Sequence, residues 1–351
     1  METNFIQGLE LSRQFYWEVV RPLLDAKYPG ILHSAALIGT GSEVLGFDTA
    51  VSADHDWGPR VMLFLSEQDN ADVSESWLHG LQDALPASFH GFTVIPKNRT
   101  KASRAVEIFT MRAFIRGYLG FDIQDKLEPA DWLTFPEQKL RALTWGAIYW
   151  DGVDIQEVRR RFEYYPQDVW LYLLAAGWTR IGQEEHLMGR AGQVGDEIGS
   201  ALIAARLVRD LMRLSFLMEK QYSPYPKWYG TAFAQLAIAK DLSSIFHDVL
   251  SAAVWTERQK HLVRAYEIVA TCHNALSITE RLDVKPFQFY ERPFMIIGGE
   301  RFAQAICKAM VDPAVKQLAG NRLIGSIDQF SDSTDILTDA QWREVLRQLY
   351  T

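Results

Sequence analysis

The sequence predicts an α+β protein, a small mixed sheet with helices followed by an all-helical domain, and three observations carry that prediction. Short apolar runs at residues 35–38, 61–65 and 106–110 fall within the first 125 residues and have the length of buried strands. Beyond about residue 124, apolar residues recur at spacings of three and four, the period of packed helices. The chain has 351 residues, 48% hydrophobic and 23% charged, enough for about two domains with substantial cores. We therefore expect one domain over 1–125 and a helical domain over 126–351.

Taken in order, the first element is an amphipathic helix over 5–26. Leu9, Phe15, Trp17, Val20, Leu23 and Leu24 supply its apolar positions, and Pro29-Gly30 ends it. The run at 35–38 has glycines behind it, which favours a strand. The runs at 61–65 and 106–110 follow, the last after the basic loop 97–101, and a helix over 73–85 would cover one sheet face. The helical half reads as 139–150, 166–178, 199–220, 231–250, 256–276 and 301–310. Its last helix starts at Thr338-Asp339-Ala340-Gln341, a capping-box spacing ahead of Trp342, Val345 and Leu349.

Composition excludes several classes. Lys and Arg number 36 against 44 Asp and Glu, a net charge of -8, which argues against a large nucleic-acid footprint or an anionic membrane surface. Cys272 and Cys307 are too few for a disulfide framework or a clustered zinc site. No apolar stretch reaches the roughly eighteen residues of a membrane span; the best candidate, 201–218, is broken by Arg206, Arg209, Asp210 and Arg213. The opening Met1-Glu2-Thr3-Asn4 has neither the basic nor the apolar region of a secretory signal, so a cytoplasmic location is expected.

The chemistry concentrates in one stretch. Leu37-Ile38 leads into Gly39-Thr40-Gly41-Ser42, and Asp54-His55-Asp56 follows before Trp57-Gly58-Pro59-Arg60. On an extended segment, residues i and i+2 share a face, so Asp54 and Asp56 can present carboxylates to one point. Magnesium is usually held by one or two carboxylates together with substrate phosphates. Gly41 permits close backbone approach, and the amide and hydroxyl of Ser42 can then face a phosphate. Glu107, between Val106 and Ile108, would be a third carboxylate, and two Mg²⁺ ions about 4 Å apart would then share the site. Solvated loop carboxylates and a helix-capping Ser42 are the alternative.

Gly41-Ser42 with Asp54-x-Asp56 and Glu107 resembles the signature of the nucleotidyltransferase superfamily related to DNA polymerase β, which includes the aminoglycoside nucleotidyltransferases. The run Gly41-Ser42-Glu43-Val44-Leu45-Gly46-Phe47-Asp48, with the segment from Ser52 to Arg60, looks like a bacterial two-domain family, domain of unknown function 4037. The second half fits the same pattern in Gly189-Arg190-Ala191-Gly192, in Gly195-Asp196-Glu197-x-Gly199-Ser200 and in Ala204-Ala205-Arg206-Leu207-Val208-Arg209-Asp210. Tyr225-Pro226-Lys227-Trp228-Tyr229-Gly230 continues it. The resemblance covers most of the chain and implies a nucleotidyltransferase fold and Mg²⁺-dependent transfer from a nucleoside triphosphate; it names no acceptor. The pattern departs at His55, where the superfamily has an apolar residue, and at Trp57-Gly58-Pro59, which delays the strand until Val61. Pro59 cannot donate a ladder hydrogen bond, so this strand is expected to be bent or bulged at a sheet edge.

Further residues extend the candidate site. Arg60 would meet a phosphate oxygen or, alternatively, pair with a carboxylate. Arg206, Arg209 and Arg213 lie within about 60° of arc on one helix; they would line a cleft for nucleotide or anionic acceptor, or pair with Asp196 or Glu197. The basic loop 97–104 and Lys227 add positive charge, and Tyr222, Tyr225, Trp228 and Tyr229 could stack a base or pack a loop onto the core. A general base would come from Glu184, Glu185, Asp196, Glu197 or Glu107. The expected function is transfer of a nucleoside monophosphate, AMP from ATP, to a hydroxyl of a small-molecule acceptor. A non-catalytic nucleotide sensor, and a toxin–antitoxin or RNA-modifying nucleotidyltransferase, are the alternatives.

Overall fold

Four strands, one more than the sequence predicts, build the main sheet. The structure, a computed structural model, describes residues 5–51, 57–72, 80–94 and 105–350. Among the described residues the strands in chain order are β1 (His33–Leu37), β2 (Val61–Leu65), a hairpin of the two-residue strands β3 (Ser88–Phe89) and β4 (Phe92–Thr93), β5 (Val106–Thr110), β6 (Ala147–Asp151), and a second short hairpin of β7 (Phe287–Gln288) and β8 (Met295–Ile296). The sheet order is β5-β2-β1-β6. β2 runs antiparallel to β1 and parallel to β5, and β1 runs antiparallel to β6. The protein is thus mixed α+β, with its remaining length mostly helical.

The unbroken apolar sequence of β2 follows from cover on both faces. Val61 and Leu63 join Leu11, Phe15, Tyr16, Val20 and Leu24 of the N-terminal helical segment in one core. On the other face Phe64 meets the edge of Phe114 at 5.6 Å. Phe114 belongs to the helix Met111–Leu119, which starts directly from β5: the Thr110 side chain caps it by accepting from the Ala113 amide, and Gly120 at φ 70° ends it. β2 is therefore interior, not the edge strand expected from Pro59. Pro59 precedes the first ladder residue, Val61, so its missing N–H costs no sheet bond. The irregularity lies instead between β1 and β6, where the register shifts at Ala35/Ala36.

The N-terminal helix is not continuous. It comprises Gly8–Phe15, a π-helical turn Tyr16–Val20 and Arg21–Lys27, with Pro22, which has no N–H to return to Glu18, just after the turn. Within the turn, buried Tyr16 shares a hydrogen bond of 2.9 Å with His33 Nε2. The expected helix 139–150 is also corrected. A helix runs Glu137–Trp145, and the chain then becomes β6, because at Gly146 it passes so close to β1 that a Cβ would lie 2.1 Å from the Leu37 carbonyl oxygen. The expected 231–250 helix is two, Tyr229–Phe233 and Ala239–Ser251. Of the expected helix over 73–85, residues 73–79 lie outside the described residues.

Two compact units divide the chain: Met1–Lys126 with Gln138–Glu163, and Leu127–Glu137 with Tyr164–Thr351. The stretch 138–163, including β6, thus sits with the first 126 residues. In the second unit the helices Gln167–Glu184 and Gly299–Ala309 cross closely, since a Cβ on Gly299 would lie 2.3 Å from the Trp178 carbonyl oxygen. Trp178 stacks on Phe302 at 4.3 Å, and His273 of the helix Trp255–Ala275 abuts both rings edge-on. At the C-terminal end the cap is Asp339 rather than Thr338. Asp339 accepts from the Gln341 amide and starts a 3₁₀ turn, Ala340–Trp342, ahead of Arg343–Arg347.

Candidate functional site

The loop that leaves β1 is shaped by glycines and held by buried acids. Gly39 adopts φ 86°, Gly41 φ 143° and Gly46 φ 68°, and the Phe47 amide closes back on the Ser42 carbonyl at 3.0 Å. Glu43 is only 4% exposed, and its Oε1 accepts from Arg60 Nε at 3.0 Å and Nη2 at 2.6 Å. Arg60 Nη2 also donates to the Thr40 carbonyl at 2.6 Å. The absent side chain of Gly41 makes room for this pair: a Cβ there would lie 2.6 Å from Glu43 Oε2 and 2.7 Å from Arg60 Nη2. Asp48 is likewise buried, and its Oδ2 accepts from the Gly8 amide at 2.6 Å and from Trp57 Nε1 at 2.9 Å. Arg60, expected to meet a phosphate, is thus engaged with the loop itself. Glu43, Asp48 and Trp57 hold the motif together, and sequence reasoning assigned them no such role.

Strand register places Glu107 at the same end of the sheet. Ala36 of β1 pairs with Met62 of β2, and Met62 pairs with Glu107 of β5, so these three form a row across adjacent strands and share a face. β1 runs out of this row into Gly39–Ser42, and Arg60 leads into it from the segment that carries Asp54 and Asp56. Asp54 and Asp56 themselves lie outside the described residues, as does the basic loop 97–104. Glu107 is half-buried and Ser42 likewise, and each has interaction partners. Among the described residues there is no group of three or more His, Cys, Asp or Glu able to hold a metal ion. Carboxylate oxygens are nevertheless the donor type that magnesium takes, and Glu107 supplies them at the glycine-loop end.

One more contact sits beside this loop. Tyr118 is half-buried and hydrogen-bonded to the Thr40 side chain; desolvation raises its hydroxyl well above the ordinary value. Lys139 Nζ donates to the Tyr118 carbonyl at 2.7 Å.

The helical unit distributes its charges differently from expectation. Arg206 pairs with Glu184, and Arg209 Nη1 donates to both oxygens of Asp332, at 2.9 and 2.8 Å; neither arginine pairs with Asp196 or Glu197. Asp196 caps its helix by accepting from the Gly199 amide at 2.8 Å, and Glu197 binds Arg258 at 2.7 Å. Glu185 accepts from the amides of Ile297, Gly298 and Gly299 at the start of Gly299–Ala309, and burial raises its carboxyl above the ordinary value. All four acids proposed as a base from this unit are therefore engaged in structural contacts. Lys227 lies 4.9 Å over the Trp228 ring. Tyr222 is buried against Tyr164 and Tyr165, at 5.0 Å from each, and Tyr229 lies 5.4 Å from Phe216, so these two tyrosines pack the core.

No described helix is long and apolar enough to cross a membrane. No curated protein matches the chain. A solved structure, that of a nucleotidyltransferase-like protein from Exiguobacterium sibiricum 255-15, is similar at 10% identity, covering 80% of this chain and 83% of that one with a TM-score of 0.35. Residues 132–229 match the model of a family described as a domain of unknown function, DUF4037. That span holds the glycine-rich run 189–199 and the arginines 206 and 209, and it begins after the Gly41-Ser42 loop and Glu107. Over residues 132–229 the chain is thus similar to the DUF4037 family, the one its second-half motifs resemble.

Proposed function

We propose that the protein is a Mg²⁺-dependent nucleotidyltransferase that moves a nucleoside monophosphate, AMP from ATP, to a hydroxyl of a small-molecule acceptor. The observation that carries the reading is the row Ala36–Met62–Glu107. It sets a carboxylate on the strand beside the one that Asp54 and Asp56 precede, at the sheet end where Gly41 and Ser42 follow β1. In this reading Asp54, Asp56 and Glu107 hold magnesium, which when bound offsets the charge of the triphosphate. Gly41 and Ser42 face the phosphates, and Arg60 acts as a positioning residue that clamps Thr40 and Glu43. The acceptor oxygen attacks the α-phosphorus, its proton passes to a base, and pyrophosphate leaves.

Incubation with Mg²⁺, α-labelled ATP and a small-molecule cell extract is expected to yield a labelled product and pyrophosphate. Asp54→Asn and Glu107→Gln should each abolish the product while leaving the unfolding temperature within a few degrees of the parent. Equal labelling by parent and both variants refutes the reading. A second reading, a nucleotide sensor without turnover, is favoured by the irregular entry to β2, where Gly58 stands at φ 148° and Trp57 is tied to Asp48. Mg²⁺-dependent ATP binding with no pyrophosphate release across an acceptor screen would select it.

A further inference from the structure

Four arginines of the helical unit converge on one place with three carboxylates among them. Arg206, Arg209, Asp210 and Arg213 fall at i, i+3, i+4 and i+7 of the helix Glu197–Met218, which puts them on one face. Arg180 and Glu184 come from Gln167–Glu184. Asp210 is only 2% exposed. Arg180 Nε stands 3.4 Å from it, Arg213 Nη1 3.8 Å and Arg209 Nε 4.0 Å. None of these approaches is a hydrogen bond: both Asp210 oxygens, and the buried Nε atoms of Arg180 and Arg209, have no hydrogen-bond partner among the described residues. Asp210 therefore gathers the guanidinium groups without consuming their N–H donors.

Arg206 donates to Glu184, and Arg209 donates outward, to Asp332. This carboxylate is 71% exposed and lies just after the helix Ile327–Phe330. It takes both its bonds from Arg209 Nη1, and Arg213 Nη2 is 3.9 Å away. An ion pair so open to solvent contributes little to stability. Asp332 is exposed, whereas the other acids near these arginines, Glu184, Asp210, Glu137 and Asp328, are buried; displacing Asp332 removes one negative charge and frees the Arg209 donor. Arginine presents planar, forked donors suited to tetrahedral oxyanions, and a carboxylate occupies two of the oxygen positions such a group would fill.

We infer that Arg180, Arg209 and Arg213 form a binding site for a phosphate dianion, free or as a monoester, and that Asp332 is an internal stand-in which the incoming phosphate displaces. The site lies within the helical unit and stands apart from the nucleotidyl-transfer reading, since it needs neither the carboxylates near β2 nor magnesium.

Calorimetric titration of the full chain with inorganic phosphate, in EDTA, without nucleotide and at constant ionic strength, tests it. The parent should bind phosphate more tightly than chloride. Asp332→Asn, at an exposed position, should bind it about fivefold more tightly, the gain set by the loss of an exposed competing ion pair. Arg209→Gln should weaken it at least tenfold. Glycerol phosphate titrated in parallel separates the sources: tighter binding than inorganic phosphate identifies a monoester site, and equal binding a site for the free ion. Unchanged affinity in Asp332→Asn, or phosphate binding no tighter than chloride, overturns the inference. If Arg209→Gln fails to fold, the Asp332→Asn titration still decides.

Discussion

Two glycines of the same loop separate the packing role of Gly41 from mere backbone freedom. Gly41→Ala places a methyl group 2.6 Å from Glu43 Oε2 and 2.7 Å from Arg60 Nη2, at φ 143°. The backbone strain costs about 2 kcal/mol, and loosening a pair whose carboxylate is 4% exposed adds about 2 kcal/mol or more. Gly46→Ala, at φ 68° with open space around the new methyl, meets only the left-handed penalty of about 1 kcal/mol. For a unit of this size each kcal/mol moves the melting temperature by about 2–4 °C. Scanning calorimetry should therefore show a fall of roughly 8–16 °C for Gly41→Ala and roughly 2–4 °C for Gly46→Ala. Adding Glu43→Ala to Gly41→Ala should cost less than the two single changes summed, because the truncated side chain no longer meets the new methyl. Equal shifts for the two alanine variants, or strict additivity with Glu43→Ala, would refute the view that Gly41 exists to seat the Glu43–Arg60 pair.

Two further predictions concern the helical unit. His273 is fully buried, and burial holds its imidazole down at about 4; the unfolded chain takes up a proton near pH 6.5 that the folded one refuses until about pH 4. Stability is thus complete above pH 6.5 and declines by about 3 kcal/mol as the pH falls to 4. Urea titrations of His273→Gln should show a flatter pH profile over that window, and an unaltered slope would discount burial as the cause. Asp131 accepts from Arg343, from Arg347 Nε at 2.8 Å and from the Glu128 amide at 2.8 Å. Asp131→Asn strands the buried Arg343 and should cost about 3 kcal/mol, whereas Arg347→Ala, at a partly exposed partner, should cost about 1 kcal/mol or less. Comparable losses from both changes would mean that burial does not set the strength of this cluster.

The fold was legible where local sequence decides and obscure where distant contacts do. The strands 61–65 and 106–110 emerge with the bounds expected, since each has a clear stop: Ser66 after one, and at the end of the other Thr110, whose hydroxyl caps the next helix. β6 was hidden because Ile148 and Tyr149 continue the apolar spacing of the helix before them; what breaks that helix is a contact of Gly146 with Leu37, over a hundred residues earlier. Charge partners followed the same division. Helical periodicity puts Arg206 and Arg209 on one face, yet it cannot say that Glu184 and Asp332 are what that face meets.

The glycine loop carries the lesson furthest. Acids stand at 43, 48, 54 and 56, and the sequence alone does not say which of them the loop keeps for its own shape. Burial removes two: Glu43 is spent on Arg60, and Asp48 on the Gly8 amide and Trp57. A loop that commits two buried carboxylates to its own shape is fixed before any ligand arrives, and preorganisation of that kind is what a phosphate-facing backbone requires. If Arg60 served the phosphate directly, its replacement by lysine would chiefly weaken nucleotide binding. Because it clamps Thr40 and Glu43 through two nitrogens, the same replacement should instead destabilise the loop, since one ammonium cannot reproduce the fork.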